Sequence, residues 1–162
     1  VAVDPKMLLE IAEGDYIINN NVWSNFNQMY KKNDKIMNHV QFFQPSLGWS
    51  SGPTALKYAA DHKPRKIYIL GFDYQGHNDK QRKIFNNLFK DTRNYKRSTE
   101  EATFFGNWLN QTKRVLKDYP ETEFYRVVPK EWFKPKDLEW NKNLKHVDID
   151  EFLRIYNLKI KM

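Results

Sequence analysis

Cysteine is absent from this chain. That excludes a disulfide framework, thiolate metal sites and thiol redox chemistry. Long apolar runs are missing as well: none approaches the roughly 18 residues of a membrane-spanning helix, and mean hydropathy is −0.83. There is no internal repeat and no low-complexity tract. The residues after Val1 read as neither a signal peptide nor a tag. The sequence also has no Walker lysine after a glycine-rich loop, no G-x-G-x-x-G and no nucleophile elbow.

What is present is aromatic and basic. The 162 residues include 11 Phe, 9 Tyr and 5 Trp. That is enough apolar surface to exclude a disordered chain and to fill the core of one domain spanning residues 1–162. There are 27 Lys and Arg against 20 Asp and Glu, a net charge of +7. Most of this excess lies in the window 74–99, where Lys80, Arg82, Lys83, Lys90, Arg93, Lys96 and Arg97 face only Asp79 and Asp91. Three readings of the window follow: a solvated polar insertion, a basic lid over a phosphate-bearing ligand, or a nucleic-acid contact. The concentration in one window, rather than a long stripe, argues against nucleic acid.

Along the chain, strand and helix signals alternate. Val1-Ala2-Val3 reads as a strand in mid-fold, ended by Asp4-Pro5. Lys6 to Glu13 has helical spacing and stops at Gly14. Tyr16-Ile17-Ile18 reads as a strand, Val22 to Tyr30 as a helix and Val40 to Phe43 as a strand. Ser50-Ser51-Gly52-Pro53 opens a helix, with Ser as N-cap and Pro in the first turn. Lys66-Ile67-Tyr68-Ile69-Leu70-Gly71 reads as a strand buried on both faces. A short helix is expected near Gln81–Phe89. Ser98 and Glu101 have the spacing of a capping box for a helix carrying Ala102, Phe105 and Leu116. Thr122 to Val128 reads as a strand, the segment of Trp132, Phe133 and Trp140 as a packed loop, and Asp148 as the cap of a last helix. This alternation predicts a three-layer, Rossmann-like α/β fold with a mostly parallel sheet. Ligands in such folds bind beyond the carboxyl ends of the strands.

Those ends supply the candidate site. Asp4, Asn19, Ser50, Ser51, Gly52 and Asp73 converge there if the sheet is parallel. The Ser50-Ser51-Gly52 turn offers free N–H groups and about half a positive charge at a helix start, suited to a phosphate, although an ordinary N-cap explains the serines equally well. Tyr74 has a hydroxyl that can donate to a leaving phosphate, and His77, just beyond it, is a candidate general base. Arg93, Lys96 and Arg97 can neutralise phosphate charge. His39, His62, His77 and His146 show no metal-ligand spacing, so no metal site is expected.

The Ser50-Ser51-Gly52 turn and the segment Lys66-Ile67-Tyr68-Ile69-Leu70-Gly71-Phe72-Asp73-Tyr74 resemble the core of the bacterial family 42 sialyltransferases and the related Rossmann-like DUF115 and MptE-like families. The resemblance implies that Ser51, Gly52 and Asp73 hold the CMP part of a CMP-linked sugar donor. It further implies that Tyr74 assists the leaving phosphate, that the window 74–99 is a lid, and that Asp4 stands in for an Asn near the nucleotide. It covers most of residues 1–128. The family's catalytic His falls late in the lid, where this chain has Arg93-Asn94-Tyr95-Lys96-Arg97-Ser98, so Tyr95, Lys96 or His77 would have to replace it. The family's Gly-Asn-Gly-Pro-Ser-like loop has no counterpart, which implies that about one βαβ unit is missing before Asp4. The chain is also similar to short proteins of marine bacteriophages. Together these imply a cytoplasmic, nucleotide-sugar-dependent glycosyltransferase-like protein. The alternative is a non-catalytic phage binding protein that keeps the fold. Oligomeric state is left open.

Overall fold

The computed structural model describes residues 1–79, 82–85 and 87–158. Lys80 and Gln81, part of the basic window, lie outside the described residues. The backbone divides into two compact units, Val1–Ala55 and Leu56–Met162.

The N-terminal unit contains α1 (Pro5–Glu13), α2 (Tyr16–Asn19), β1 (Val22–Ser24), a 3₁₀ turn (Gln28–Lys32), α3 (Asp34–His39) and β2 (Val40–Phe42). It ends in the first turn of α4 (Ser51–Asp61). β1 and β2 pair in parallel with Val22 opposite Val40. Leu8, Ala12, Ile17, Val22, Tyr30, Ile36 and Val40 form the core.

Three expectations fail here. Residues 1–3 form no strand, although the Ala2 N–H donates to the Trp23 carbonyl at 2.9 Å. Tyr16-Ile17-Ile18 is helical: only Ile17 is buried, while Tyr16 and Ile18 stay in water. The expected helix from Val22 is instead β1 followed by the 3₁₀ turn. Its aromatic residues pack across the strand pair, Trp23 on Phe43 (5.2 Å between ring centres) and Phe26 on Phe42 (5.4 Å). Cross-strand contacts of that kind override helical spacing.

The C-terminal unit holds β3 (Lys66–Ile69), β4 (His77–Asp79), β5 (Arg82–Ile84), α5 (Gly106–Asp118), β6 (Glu123–Val128), a 3₁₀ turn (Lys136–Leu138), β7 (Leu144–Asp148) and α6 (Ile149–Ile155). β3, β6 and β7 form a parallel sheet in that order. Tyr68 and Tyr125 stack at 5.0 Å on one face, where Phe152 and Tyr156 of α6 meet them. Phe124, Arg126 and Val128 alternate to the other face. There Arg126 lies over the Tyr74 ring, and the Tyr74 hydroxyl bonds Thr112 of α5. The protein is therefore a mixed α/β fold built on parallel strands.

β3 is not buried on both faces as expected. It is an edge strand, with Lys66 exposed and Leu70 56% exposed just after it, and the central position belongs to β6. The basic window holds the antiparallel pair β4–β5 rather than a helix near 81–89. The helix expected from Ser98 begins at Gly106, because the groups of the supposed capping box are used elsewhere. Ser98 N–H and Oγ both donate to Asp91 Oδ1, at 2.8 and 3.1 Å, and Glu101 bridges Ile84. Asp148 does cap the last helix, accepting from the Asp150 N–H at 2.9 Å.

Candidate functional site

Two helices of the N-terminal unit start next to one another. Asp4 caps α1: its Oδ1 accepts from the Lys6 and Met7 N–H groups at 2.9 and 3.4 Å. One residue earlier, the Val3 N–H donates to Ser51 Oγ, at the first residue of α4, over 3.1 Å. Asp4 and Ser51, far apart in sequence, are thereby brought together. Pro5 has no N–H and Asp4 takes those of Lys6 and Met7, so the start of α1 brings its dipole end to this bond but no orphan donor. Gly52 and Pro53 follow in the first turn of α4, and the Thr54 N–H closes it on the Ser50 carbonyl at 3.0 Å.

The same unit holds buried polar atoms that no protein group satisfies. They are Asn25 Oδ1, in the residue after β1, Tyr30 OH, and Thr54 Oγ1 in the first turn of α4. Tyr30 is fully buried and Thr54 nearly so. Burial raises the Tyr30 pKa; the Ser24 hydroxyl beside it pulls the other way, and the Asp4 carboxylate adds to the rise. Ser24 itself donates to the Asn25 carbonyl at 3.3 Å, so its proton is not offered to the Tyr30 oxygen. A buried hydroxyl or amide oxygen without a partner costs about 1–3 kcal/mol. Three in one small unit call for a ligand or ordered water. Composition and spacing did not single out Asn25, Tyr30 or Thr54, which burial alone marks.

Asn19 is not at a strand end. It is the last residue of α2, exposed, with its Nδ2 donating to the Asp15 carbonyl at 3.3 Å.

In the C-terminal unit the Asp73-Tyr74 pair follows β3 through Gly71, whose φ of +76° suits glycine. Tyr74 itself has φ +57°, a strained value for a side chain of that size. Arg126 of β6 holds the segment in place. Its Nε donates to the Phe72 carbonyl at 2.7 Å and its two terminal nitrogens to the carbonyls of Phe133 (2.9 Å) and Asp73 (3.0 Å). Its guanidinium lies 5.1 Å from the Tyr74 ring centre. Arg126 is 1% exposed, and it is the residue that sequence reasoning missed here. An arginine inside Phe124-Tyr125-Arg126-Val127-Val128 was the available sign, since a buried charge needs partners.

Tyr74 is also buried, and its hydroxyl donates to Thr112 Oγ1 at 2.7 Å. Burial pushes its pKa up to about 12, against weaker opposing effects from Thr112 and Arg126. Burial likewise raises the Asp73 carboxyl, with Arg126 opposing. A cleft of about 390 Å³ opens beside Tyr74, walled by Gln75, Glu101 and the run Thr103–Phe105. His77 opens β4, its backbone opposite Ile84.

Arg93, Lys96 and Arg97 share the exposed loop 87–98. Lys96 Nζ donates to the Glu101 carbonyl at 3.3 Å, and the Arg97 N–H to Glu100 Oε2 at 2.5 Å. Among the described residues no group of three or more His, Asp or Glu side chains is arranged to hold a metal, and no helix is long and apolar enough to cross a membrane. Comparison of the chain with protein-family models, curated proteins and solved structures finds no match.

Proposed function

We propose that the protein binds a nucleotide-type phosphorylated ligand, of the kind carried by nucleotide-sugars, at the junction of α1 and α4. The observation that carries this reading is the Val3–Ser51 hydrogen bond, which ties two helix starts together in a unit that also holds three buried, unsatisfied polar atoms. The start of α4 favours phosphate, and Asn25 Oδ1, Tyr30 OH and Thr54 Oγ1 can meet the hydroxyls and base edges of a nucleoside. In the glycosyltransferase-like form of the reading, that ligand is the CMP-linked donor of a sugar transfer.

A second reading, binding without transfer, is favoured by one observation. The Tyr74 hydroxyl is already committed to Thr112 inside the C-terminal unit, and a proton held there is not presented to a leaving phosphate.

Thermal-shift titration with CMP, CDP, UDP, GDP and their sugars tests the binding. A ligand at a hundred times its Kd stabilises by about 2.7 kcal/mol, an easily read rise in Tm. Tyr30→Phe and Thr54→Val, which keep shape, should weaken that rise. If no nucleotide stabilises the chain, or if both variants respond as the wild type does, the reading fails. Release of free sugar from a stabilising donor would favour transfer over binding alone.

A further inference from the structure

The loop 87–98 has a feature to which nucleotide binding gives no part. Leu88 is 91% exposed and its neighbour Phe89 51%. Lys90, Arg93, Lys96 and Arg97 are exposed in the same loop, with Asp91 as its single carboxylate. That carboxylate is engaged by the loop: its Oδ1 accepts from both Ser98 N–H and Ser98 Oγ, which hold its pKa below the ordinary value. The Asp91 N–H donates to the Lys96 carbonyl at 3.0 Å, and Asn87 Oδ1 accepts from the Phe89 N–H at 2.8 Å. The Thr92 hydroxyl donates to the Phe89 carbonyl at 2.7 Å, and the Phe89 and Tyr95 rings stack at 5.7 Å. The loop is thus closed on itself and shaped before any partner arrives, so little ordering cost falls on binding.

We propose that this loop docks on an anionic lipid surface. Leu88 and Phe89 enter the boundary between headgroups and acyl chains, and the four cations pair with lipid phosphates and carboxylates. An apolar tip in a basic collar matches a charged bilayer on both counts, by apolar burial and by charge. Nucleic acid fits less well. Leu88 has no π face for a base, and one face of Phe89 already lies on Tyr95, whereas strand binding relies on open aromatic platforms.

The absence of cysteine makes the test direct. In this 162-residue chain, Leu88→Cys is a unique attachment point for an environment-sensitive fluorophore. Its emission should shift to the blue with phosphatidylcholine vesicles containing about one-third phosphatidylserine, and not with phosphatidylcholine alone. In co-sedimentation, Leu88→Ser and the double variant Lys96→Glu/Arg97→Glu should each lower vesicle affinity by about tenfold or more. Their melting should stay unchanged, because these side chains are exposed. Added salt should release the wild type. The proposal is overturned if wild-type protein does not sediment with the anionic vesicles, or if Leu88→Ser sediments as well as wild type. It is also overturned if millimolar inorganic phosphate or CMP frees the chain from vesicles, or if an oligo-dT strand is bound through Lys96 and Arg97 in place of the vesicles.

Discussion

The Val3 N–H donates to Ser51 Oγ across 48 positions of sequence, which makes Ser51 a fastener as well as a helix start. Its hydroxyl is the acceptor for a half-buried N–H that belongs to no ladder. Ser51→Ala should lower stability by about 1 kcal/mol in urea unfolding, and Ser51→Thr, which keeps the oxygen, should restore most of it. Equal stability of the alanine variant and wild type would contradict the role.

Arg126 should be far harder to replace. Arg126→Met fills the space but leaves the carbonyls of Phe72, Asp73 and Phe133 without donors. A loss of about 3 kcal/mol or more is expected, measured by thermal or urea unfolding, with Arg126→Lys intermediate because an ammonium cannot span three acceptors in one plane.

Tyr74 and Thr112 should behave as a pair. Tyr74→Phe strands the Thr112 hydroxyl in the interior and should cost about 1–2 kcal/mol. Adding Thr112→Val removes the stranded group, so the double variant should be more stable than the sum of the single losses. In alkali the raised Tyr74 pKa has a definite sign. The folded state keeps its proton to about pH 12, whereas the unfolded chain releases it near 10. This part of the stability is complete below pH 10 and is lost as pH rises through about 12. Ultraviolet titration should show one tyrosine ionising last, and Tyr74→Phe should remove it.

His146 gives the acid counterpart. It lies opposite Arg126 in the β6–β7 register. Burial first, then the charges of Arg126 and Lys134, depress its pKa to about 4. The unfolded chain takes up a proton near 6.5 and the folded chain does not. Stability from this group is full above 6.5 and falls as pH drops towards 4. His146→Gln should flatten that limb of a pH–stability curve; an unchanged limb would show that other groups produce it.

What the residues revealed in advance was what depends on near neighbours. The helix at Ser51, the strand at Glu123–Val128 and the Asp148 cap are written in caps, breakers and apolar runs a few residues long. The failures are tertiary. Trp23 and Phe26 have helical spacing, but Phe42 and Phe43 claim them from the paired strand. Ser98 and Glu101 have the spacing of a cap, yet Asp91 and Ile84 take their groups. β7, with Lys145 and His146 in an edge strand, lacks the apolar run that would mark it. Asp4 and Ser51 were legible as candidates and stand close through Val3, whereas Asn25, Tyr30 and Thr54 became visible only once burial was known.

The hydrogen bonds of Arg126 have a consequence for how the protein can vary over evolution. All three run to main-chain carbonyls, so the anchoring does not depend on which side chains stand at positions 72, 73 and 133. Those two loops can change their surface chemistry residue by residue without losing their attachment to the sheet. Position 126 cannot. Descendants of this chain with altered specificity should therefore differ at the loops and agree on the arginine beneath them.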